Sequence, residues 1–175
     1  TDRQLFTDDA WISDPRGIER ILHQPVRREV ILHPDRPWES GGLSYLTTFR
    51  DRGKIRGWYR ADLVLQGSDY DSITCYAESD DGIHWTKPDL GVSEFQGSEH
   101  NNIVWTEPGI NFAPFKDQNP TCPEAERYKA IIRDKSVVLA LSSPDGLRWQ
   151  LMQQEPILTD PPFDSLNLAF WDLRR

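Results

Sequence analysis

The 175-residue chain lacks long apolar runs and clusters of basic residues. No apolar segment approaches the ~20 residues that a membrane-spanning helix needs. Twenty basic residues against 28 acidic ones leave a net charge of −8. Nowhere do Lys and Arg form a stripe that could follow a phosphate backbone. The sequence therefore predicts neither a membrane span nor a nucleic-acid partner.

Motifs for metal, cofactor and nucleophile chemistry are also missing. Cys75 and Cys122 lie far apart and neither belongs to a Cys-x-x-Cys pair, so we interpret them as two separate thiols, with a single bridge as the alternative. The chain has no Gly-x-Ser-x-Gly elbow and no phosphate-binding Gly-Lys loop. No short ligand spacing connects the four histidines, His23, His33, His84 and His100. We therefore expect no metal and no cofactor.

The chain is rich in aromatic and turn-forming residues, with seven Trp, seven Phe, five Tyr, 13 Pro and 11 Gly. Frequent Pro and Gly disfavour long helices. Stretches rich in β-branched and aromatic residues predict strands at 43–49, 55–65, 72–79, 127–133 and 136–142. Asp134 and Lys135 predict a tight hairpin between the last two. The expected fold class is all-β.

A short motif, Ser-x-Asp-Gly-x-x-Trp, occurs twice. It reads SDDGIHW from Ser79 to Trp85 and SPDGLRW from Ser143 to Trp149, with a separation of 64 residues. Its Asp and Gly suit a tight turn, and the Ser hydroxyl can bond nearby backbone groups. We interpret the motif as a structural turn whose Trp packs back as a hydrophobic plug, because no catalytic chemistry needs this spacing.

A second marker supports the same register. Phe49-Arg50-Asp51 returns as Phe115-Lys116-Asp117 and again as Phe170-Trp171-Asp172. A four-stranded sheet repeated at roughly 60 residues is typical of a β-propeller. We expect one domain over 1–175, a partial five-bladed propeller with about two blades and the start of a third. Its predicted parts are N-terminal strands within 1–37, at 5–12 and 19–26, a first blade at 38–100, a second at 101–160 and the start of a third at 161–175.

Several stretches resemble bacterial proteins related to the five-bladed propeller glycoside hydrolases, the clan of invertase, levansucrase and arabinanase. The matching segments are LHQPV (22–26), RPWES (36–40), TCYAESDDGIHWTKPDLG (74–91), NNIVW (101–105), NFAPFKDQNPTCPEAERYKA (111–130), SPDGLRW (143–149) and FDSLNLAFWD (163–172). Such proteins continue through further blades after the last segment. The resemblance implies a carbohydrate substrate and an N-terminal portion that has little or no activity alone.

Glycoside hydrolysis requires two carboxyl groups on either side of the scissile bond. In the related clan these lie at or near the innermost strand of successive blades, which nominates Glu39, just before LSYLTTF, and Asp164, just before NLAFW. Asn111 and Asn167 are the candidate substrate-binding amides, since an amide can bond sugar hydroxyls without titrating. Turn capping is the alternative for both.

Two further charged residues lie on predicted interior strands. Arg60 and Glu78 would each need a partner there, so they either pair structurally or reach the pocket. A sequence that begins at Thr1 is compatible with a removed leader, and we expect a secreted or periplasmic protein. The alternatives to a glycoside hydrolase-like enzyme are a non-catalytic carbohydrate-binding propeller and a truncation without function.

Overall fold

The computed structural model describes residues 8–64, 71–160 and 163–173, apart from Trp11 and Pro15. By its internal contacts the chain divides into two compact units, residues 1–30 and 31–175, where we expected one domain. Among the described residues no helix is long and apolar enough to cross a membrane.

The described part of the first unit forms no helix or strand. Its surface carries local ion pairs such as Arg16 to Asp14, at 2.8 Å. The strand expected at 19–26 is therefore not formed. The one expected at 5–12 falls partly on residues that lie outside the described ones.

The second unit contains two antiparallel sheets, so the all-β prediction is confirmed. The first sheet has the order β1-β2-β3-β4, and β5 also pairs with β3. The second has the order β6-β7-β8-β9. The strands are β1 (Leu43–Asp51), β2 (Lys54–Leu63), β3 (Asp71–Ser79), β4 (Trp85–Thr86), β5 (Ile103–Trp105), β6 (Ile110–Lys116), β7 (Tyr128–Asp134), β8 (Val137–Ser143) and β9 (Gln150–Leu151). Two short 3₁₀ turns occupy Pro37–Glu39 and Glu124–Glu126.

Tight turns of the kind the sequence predicts join these strands. Arg52 and Gly53, both with positive φ (51° and 82°), connect β1 to β2 as a two-residue hairpin. Between β7 and β8 the pairing of Asp134 with Val137 leaves Lys135 and Ser136 as the turn, one residue later than predicted. The predicted boundary between residues 100 and 101 precedes β5, a strand that belongs to the first sheet.

The two Ser-x-Asp-Gly-x-x-Trp motifs form the turns from β3 to β4 and from β8 to β9, and each makes the same six hydrogen bonds. In the first, Ser79 Oγ accepts from the Gly82 N–H at 2.8 Å, and Asp81 Oδ1 accepts from the two N–H groups that follow Gly82. The Trp85 indole then donates to the Gly82 carbonyl at 3.0 Å. Both Trp rings are partly buried rather than fully enclosed.

A hydrophobic core lies between the sheets. It includes Trp58 and Tyr76 from the first sheet and Phe112, Ile132 and Leu141 from the second. A second cluster, around Tyr59 and Cys75, covers the opposite face of the first sheet. Because side chains alternate along a strand, even-numbered positions of β2 such as Trp58 face the second sheet and odd-numbered ones such as Tyr59 face away from it. Cys75 and Cys122 are buried free thiols, as predicted.

Candidate functional site

The first strands of the two sheets begin with matching irregularities. The register of β1 against β2 shifts between Ser44 and Thr47, and that of β6 against β7 shifts between Ile110 and Ala113. Inside these bulges Tyr45 and Asn111 both adopt left-handed backbone conformations, with φ of 51° and 60°. The Phe49 and Phe115 markers lie at the same offset from each other as these two residues, so Tyr45 and Asn111 occupy equivalent positions.

Asn111 joins three parts of the chain. Its side chain is buried, and its Nδ2 donates to the Ser165 carbonyl at 2.6 Å. Its Oδ1 accepts from Arg60 Nη1 of the first sheet in a long contact of 3.4 Å. Ser165 itself has a positive φ of 44°. Asn tolerates the left-handed region better than most residues, so this position is compatible with its side chain.

Arg60 lies on the face of β2 that points to the second sheet. Its Nε donates to Asp62 Oδ1 at 2.6 Å, and the two side chains are 17% and 22% exposed. The guanidinium therefore keeps a partly open edge between a carboxylate and an amide. Arg60 therefore has the charged partner that its place on a strand requires, and the pair remains partly exposed.

Asp164 precedes Ser165 and is exposed. Its Oδ1 accepts from the Ser165 N–H at 2.7 Å, which leaves Oδ2 without a hydrogen bond among the described residues. Asn167 is half-buried, and its side chain makes no hydrogen bond within the described part of the chain. We call Arg60, Asp62, Asn111, Asp164 and Ser165 the Asn111 cluster.

Glu39 lies apart from this cluster. It is 1% exposed, and its carboxylate accepts from the Tyr59 hydroxyl at 2.6 Å and from Lys87 Nζ at 2.7 Å. The backbone N–H groups of Asp35 and Arg36 donate to the same carboxylate. Since Tyr59 is on the opposite face of β2 from Arg60, the structure does not bring Glu39 to the Asn111 cluster.

The surroundings of Glu39 are those of a satisfied buried acid. Burial raises the pKa of Tyr59 far above its usual value, and the neighbouring Cys75 and Glu39 raise it further. The phenol therefore remains a hydrogen-bond donor to Glu39 across the range in which proteins fold. Lys87, whose side chain is 5% exposed, also pairs with Asp35 at 2.7 Å. The predicted catalytic role of Glu39 is not tested by this arrangement, but it would require these bonds to open.

Glu78 lies toward the other end of the first sheet, where it pairs with Arg56 of β2 rather than with Arg60. Its carboxylate accepts from Lys54 at 2.8 Å and from the Tyr76 hydroxyl at 3.0 Å. Burial alone would raise the pKa of Glu78, but these two donors outweigh it and lower the pKa. The structure thus separates Glu78 from the other predicted substrate-binding residues.

Three members of this region were not predicted. Asp62 and Tyr45 give no local signal, although the spacing of the Phe49 and Phe115 markers applied to Asn111 leads to Tyr45. Arg133 occupies the place in β7 that Arg60 has in β2, because Ile110 pairs with Arg133 as Ser44 pairs with Arg60. Its Nη1 donates to the Phe163 carbonyl at 3.2 Å. Each of these arginines thus contacts the segment that follows its own sheet.

The described residues contain no group of three or more His, Cys, Asp or Glu side chains that could hold a metal ion. Two side-chain pairs, His84 with Asp81 and His100 with Asp89, are exposed and lie at 2.7 Å. His84 and Asp81 belong to the first motif turn, where the Asp carboxylate is already bonded to backbone N–H groups.

No family model matches the chain. Two curated proteins of Mycobacterium tuberculosis, "Uncharacterized protein MT1551" of strain CDC 1551 / Oshkosh and "Uncharacterized protein Rv1502" of strain ATCC 25618 / H37Rv, are each 29% identical over 126 residues. These matches cover 68% of this chain and 38% of each relative. The chain therefore spans well under half the length of these relatives.

Among solved structures, the chain is similar to a "putative glycoside hydrolase" of Parabacteroides distasonis. The alignment covers 73% of this chain and 38% of that one, with 18% identity and a TM-score of 0.40. A likeness of that size does not define the fold.

Proposed function

We propose that the Asn111 cluster binds a poly- or oligosaccharide and that the chain is part of a glycoside hydrolase-like protein. The observation that carries the proposal is the contact from Arg60 through the Asn111 amide to the Ser165 carbonyl. It connects the first sheet, the second sheet and the following segment, and two of its members, Asn111 and Ser165, have left-handed backbones. Strained backbone at a ligand site is common, because surrounding structure must hold it.

The chemistry of the cluster suits sugar hydroxyls. A hydroxyl group both donates and accepts, so it is well matched by a guanidinium edge beside a carboxylate. Arg60 and Asp62 supply that pair, and Asp164 adds an open carboxylate oxygen. The acidic charge balance of the chain disfavours polyanionic ligands.

Glycoside hydrolysis is the finer form of this proposal, and it needs two carboxyl groups at a suitable separation. Asp164 remains the candidate among the predicted pair, because its carboxylate is exposed. Asp62 is the nearest alternative to Glu39, since Glu39 would first have to lose the hydrogen bonds from Tyr59 and Lys87. Whole-protein hydrolysis, a five-bladed propeller and a secreted or periplasmic location all belong to this proposal.

A non-catalytic saccharide-binding protein is the second candidate. The Arg60 to Asp62 ion pair favours it, because the guanidinium already occupies an Asp62 carboxylate oxygen at 2.6 Å. In this case Asp164 would bind a hydroxyl rather than transfer a proton.

The test is a titration of the chain with a panel of soluble gluco-, manno-, xylo-, arabino- and fructo-oligosaccharides, followed by calorimetry. We expect one series to bind and the Asp164→Asn variant to bind it about 10- to 150-fold more weakly, since a hydrogen bond to a charged group contributes about 1.5–3 kcal/mol. Asp80→Asn is the matched control, because the Asp80 side chain is 83% exposed and lies in the first motif turn. Equal binding by wild type and Asp164→Asn would remove Asp164 from the site.

The same samples separate the two candidate functions. Release of reducing ends that falls at least about 100-fold in Asp164→Asn would indicate an acid or base in hydrolysis. Saccharide binding without any release, in this chain and in a longer protein that contains it, would favour the binding protein.

A further inference from the structure

Tyr45 has an unusual backbone for an aromatic residue. Its φ of 51° lies in the left-handed region, which bulky side chains rarely adopt. The residue is 38% exposed. The side chain makes no hydrogen bond, ion pair or aromatic-ring contact with any residue that the structure describes. Among the described residues no polar or aromatic partner therefore accounts for a Tyr, rather than Asn or Gly, at this strained position.

The position of Tyr45 relates it to the Asn111 cluster in two ways. It follows Ser44, whose place in β1 pairs with Arg60 of β2. It is also the counterpart of Asn111, because both residues lie inside the bulge that opens the first strand of their sheets. Asn111 has a residue type that suits its backbone, and its amide has one partner at the nitrogen and one at the oxygen. Tyr45 has neither of these explanations.

We infer that Tyr45 is a saccharide-contacting residue that offers its ring as a stacking face for one sugar ring held by the Asn111 cluster. This inference rests on the proposed function. Sugars expose C–H faces that pack on aromatic rings, and the phenol hydroxyl can bond a ring substituent. A ligand contact of this kind explains a strained and exposed aromatic residue next to the position that pairs with Arg60, because backbone strain persists where function requires it.

The variant Tyr45→Asn tests the inference, because Asn tolerates the left-handed backbone and lacks the ring. We expect its melting temperature to rise by about 2–4 °C as the strain is relieved. We expect its affinity for the oligosaccharide that wild type binds best to fall about tenfold, as for the loss of one aromatic contact. Tyr45→Phe keeps the ring and is expected to bind within about threefold of wild type.

Gln96→Asn is the matched control. Gln96 is exposed and has a φ of 50°, but it lies in the turn between Phe95 and Ser98. This variant should gain stability in the same way as Tyr45→Asn and bind saccharide like wild type. If Gln96→Asn also lost saccharide binding, the affinity loss in Tyr45→Asn would be assigned to relief of backbone strain rather than to the missing ring.

Three further results would overturn the inference. If Tyr45→Asn binds like wild type while Asp164→Asn loses binding, the role of Tyr45 is refuted and the proposed function stays intact. Tyr45→Asn that unfolds or melts several degrees lower would show that the ring is a packing residue. Wild-type chain that binds no member of the panel would refute the proposed function, and the inference with it.

Discussion

The two sheets share their turns but differ in what they offer a neighbour. Each Ser-x-Asp-Gly-x-x-Trp turn makes the same hydrogen bonds, and Asp51 with Arg56 in the first sheet matches Asp117 with Lys129 in the second. The side chains that β2 and β7 present to a neighbouring sheet are different. Arg56 and Trp58 donate to the Asp145 and Gly146 carbonyls of the second sheet's turn, at 2.8 and 2.9 Å.

The second sheet has smaller residues at two of the three corresponding places. Register along β7 puts Lys129, Ile131 and Arg133 where β2 has Arg56, Trp58 and Arg60. Of the first two, Lys129 bonds within its own sheet, to Asp117 at 2.7 Å, and Ile131 is half-buried. The turns are therefore a local property of the repeated motif. The hydrogen bonds between the two sheets depend instead on Arg56 and Trp58 of β2.

The largest expected difference concerns Trp58, which joins the two sheets. Trp58 is fully buried, stacks on Phe49 with 4.9 Å between ring centroids and donates to Gly146. Trp58→Ala should lower the free energy of unfolding by about 3–5 kcal/mol, because it leaves a large cavity between the sheets. Ile131→Ala, at the matching place, should cost less than half as much. Urea unfolding of both variants measures the difference, and equal losses would show that the sheets are not held by β2.

The next effect concerns the buried carboxylate that bridges the sheets. Asp51 accepts from Lys116 and from the Tyr128 hydroxyl, each at 2.6 Å. Asp51→Asn should cost about 1.5–3 kcal/mol, since charged hydrogen bonds contribute that much and Arg56 stays buried beside it. Asp117→Asn, whose ion pair stays within one sheet, should cost less. Thermal and urea unfolding of the two variants would contradict the comparison if Asp117→Asn were the more damaging.

The same carboxylate predicts a pH dependence. Burial would raise the pKa of Asp51, but the hydrogen bonds from Lys116 and Tyr128 outweigh it and lower the pKa below the usual range. Its stabilisation is therefore fully present above the unfolded pKa of about 3.9 and is lost as the pH falls through the lower folded pKa. Unfolding between pH 7 and 2 should show a smaller acid loss in Asp51→Asn than in wild type. An identical pH profile would remove this contribution.

The smallest effect tests the similarity of the turns. Ser79 and Ser143 each accept a hydrogen bond from the Gly N–H of their own turn at 2.8 Å. They donate to Oδ1 of the Asp in that turn at 3.1 and 3.0 Å, respectively. Ser79→Ala and Ser143→Ala should each cost about 1 kcal/mol, and the two losses should agree within about 0.5 kcal/mol. Unequal losses in urea unfolding would show that the turns, despite their common geometry, have different energetic roles.

These comparisons explain how much of the fold the sequence could predict. Local sequence patterns predict the strands around Trp58 and Tyr128 and both motif turns, because these elements depend on residues close in the chain. The bulges were not predicted, because a Tyr in the sequence does not indicate a positive φ at that position. The third marker at Phe170 predicts a further strand, yet no strand is formed among residues 163–173.

The candidate site was predictable only in part, for the same reason. Asn111 and Asp164 were found through their places beside predicted strand starts. Their contact through Ser165 joins positions 54 residues apart, which no local pattern contains. Glu39 was nominated from its place before β1, but a lysine 48 residues away occupies its carboxylate. Distant partners of this kind decide whether an acid is open to a ligand.

The central claim is that saccharide binds at the end of the sheets where the Asn111 cluster lies. Amide chemical shifts of the ¹⁵N-labelled chain, followed while the best-binding oligosaccharide is added, test it most directly. We predict that the largest changes fall on Arg60, Asn111 and Ser165, with little change at Lys54 and Glu78 toward the opposite end of the first sheet. The largest changes at Lys54 and Glu78, with none around Asn111, would contradict the account.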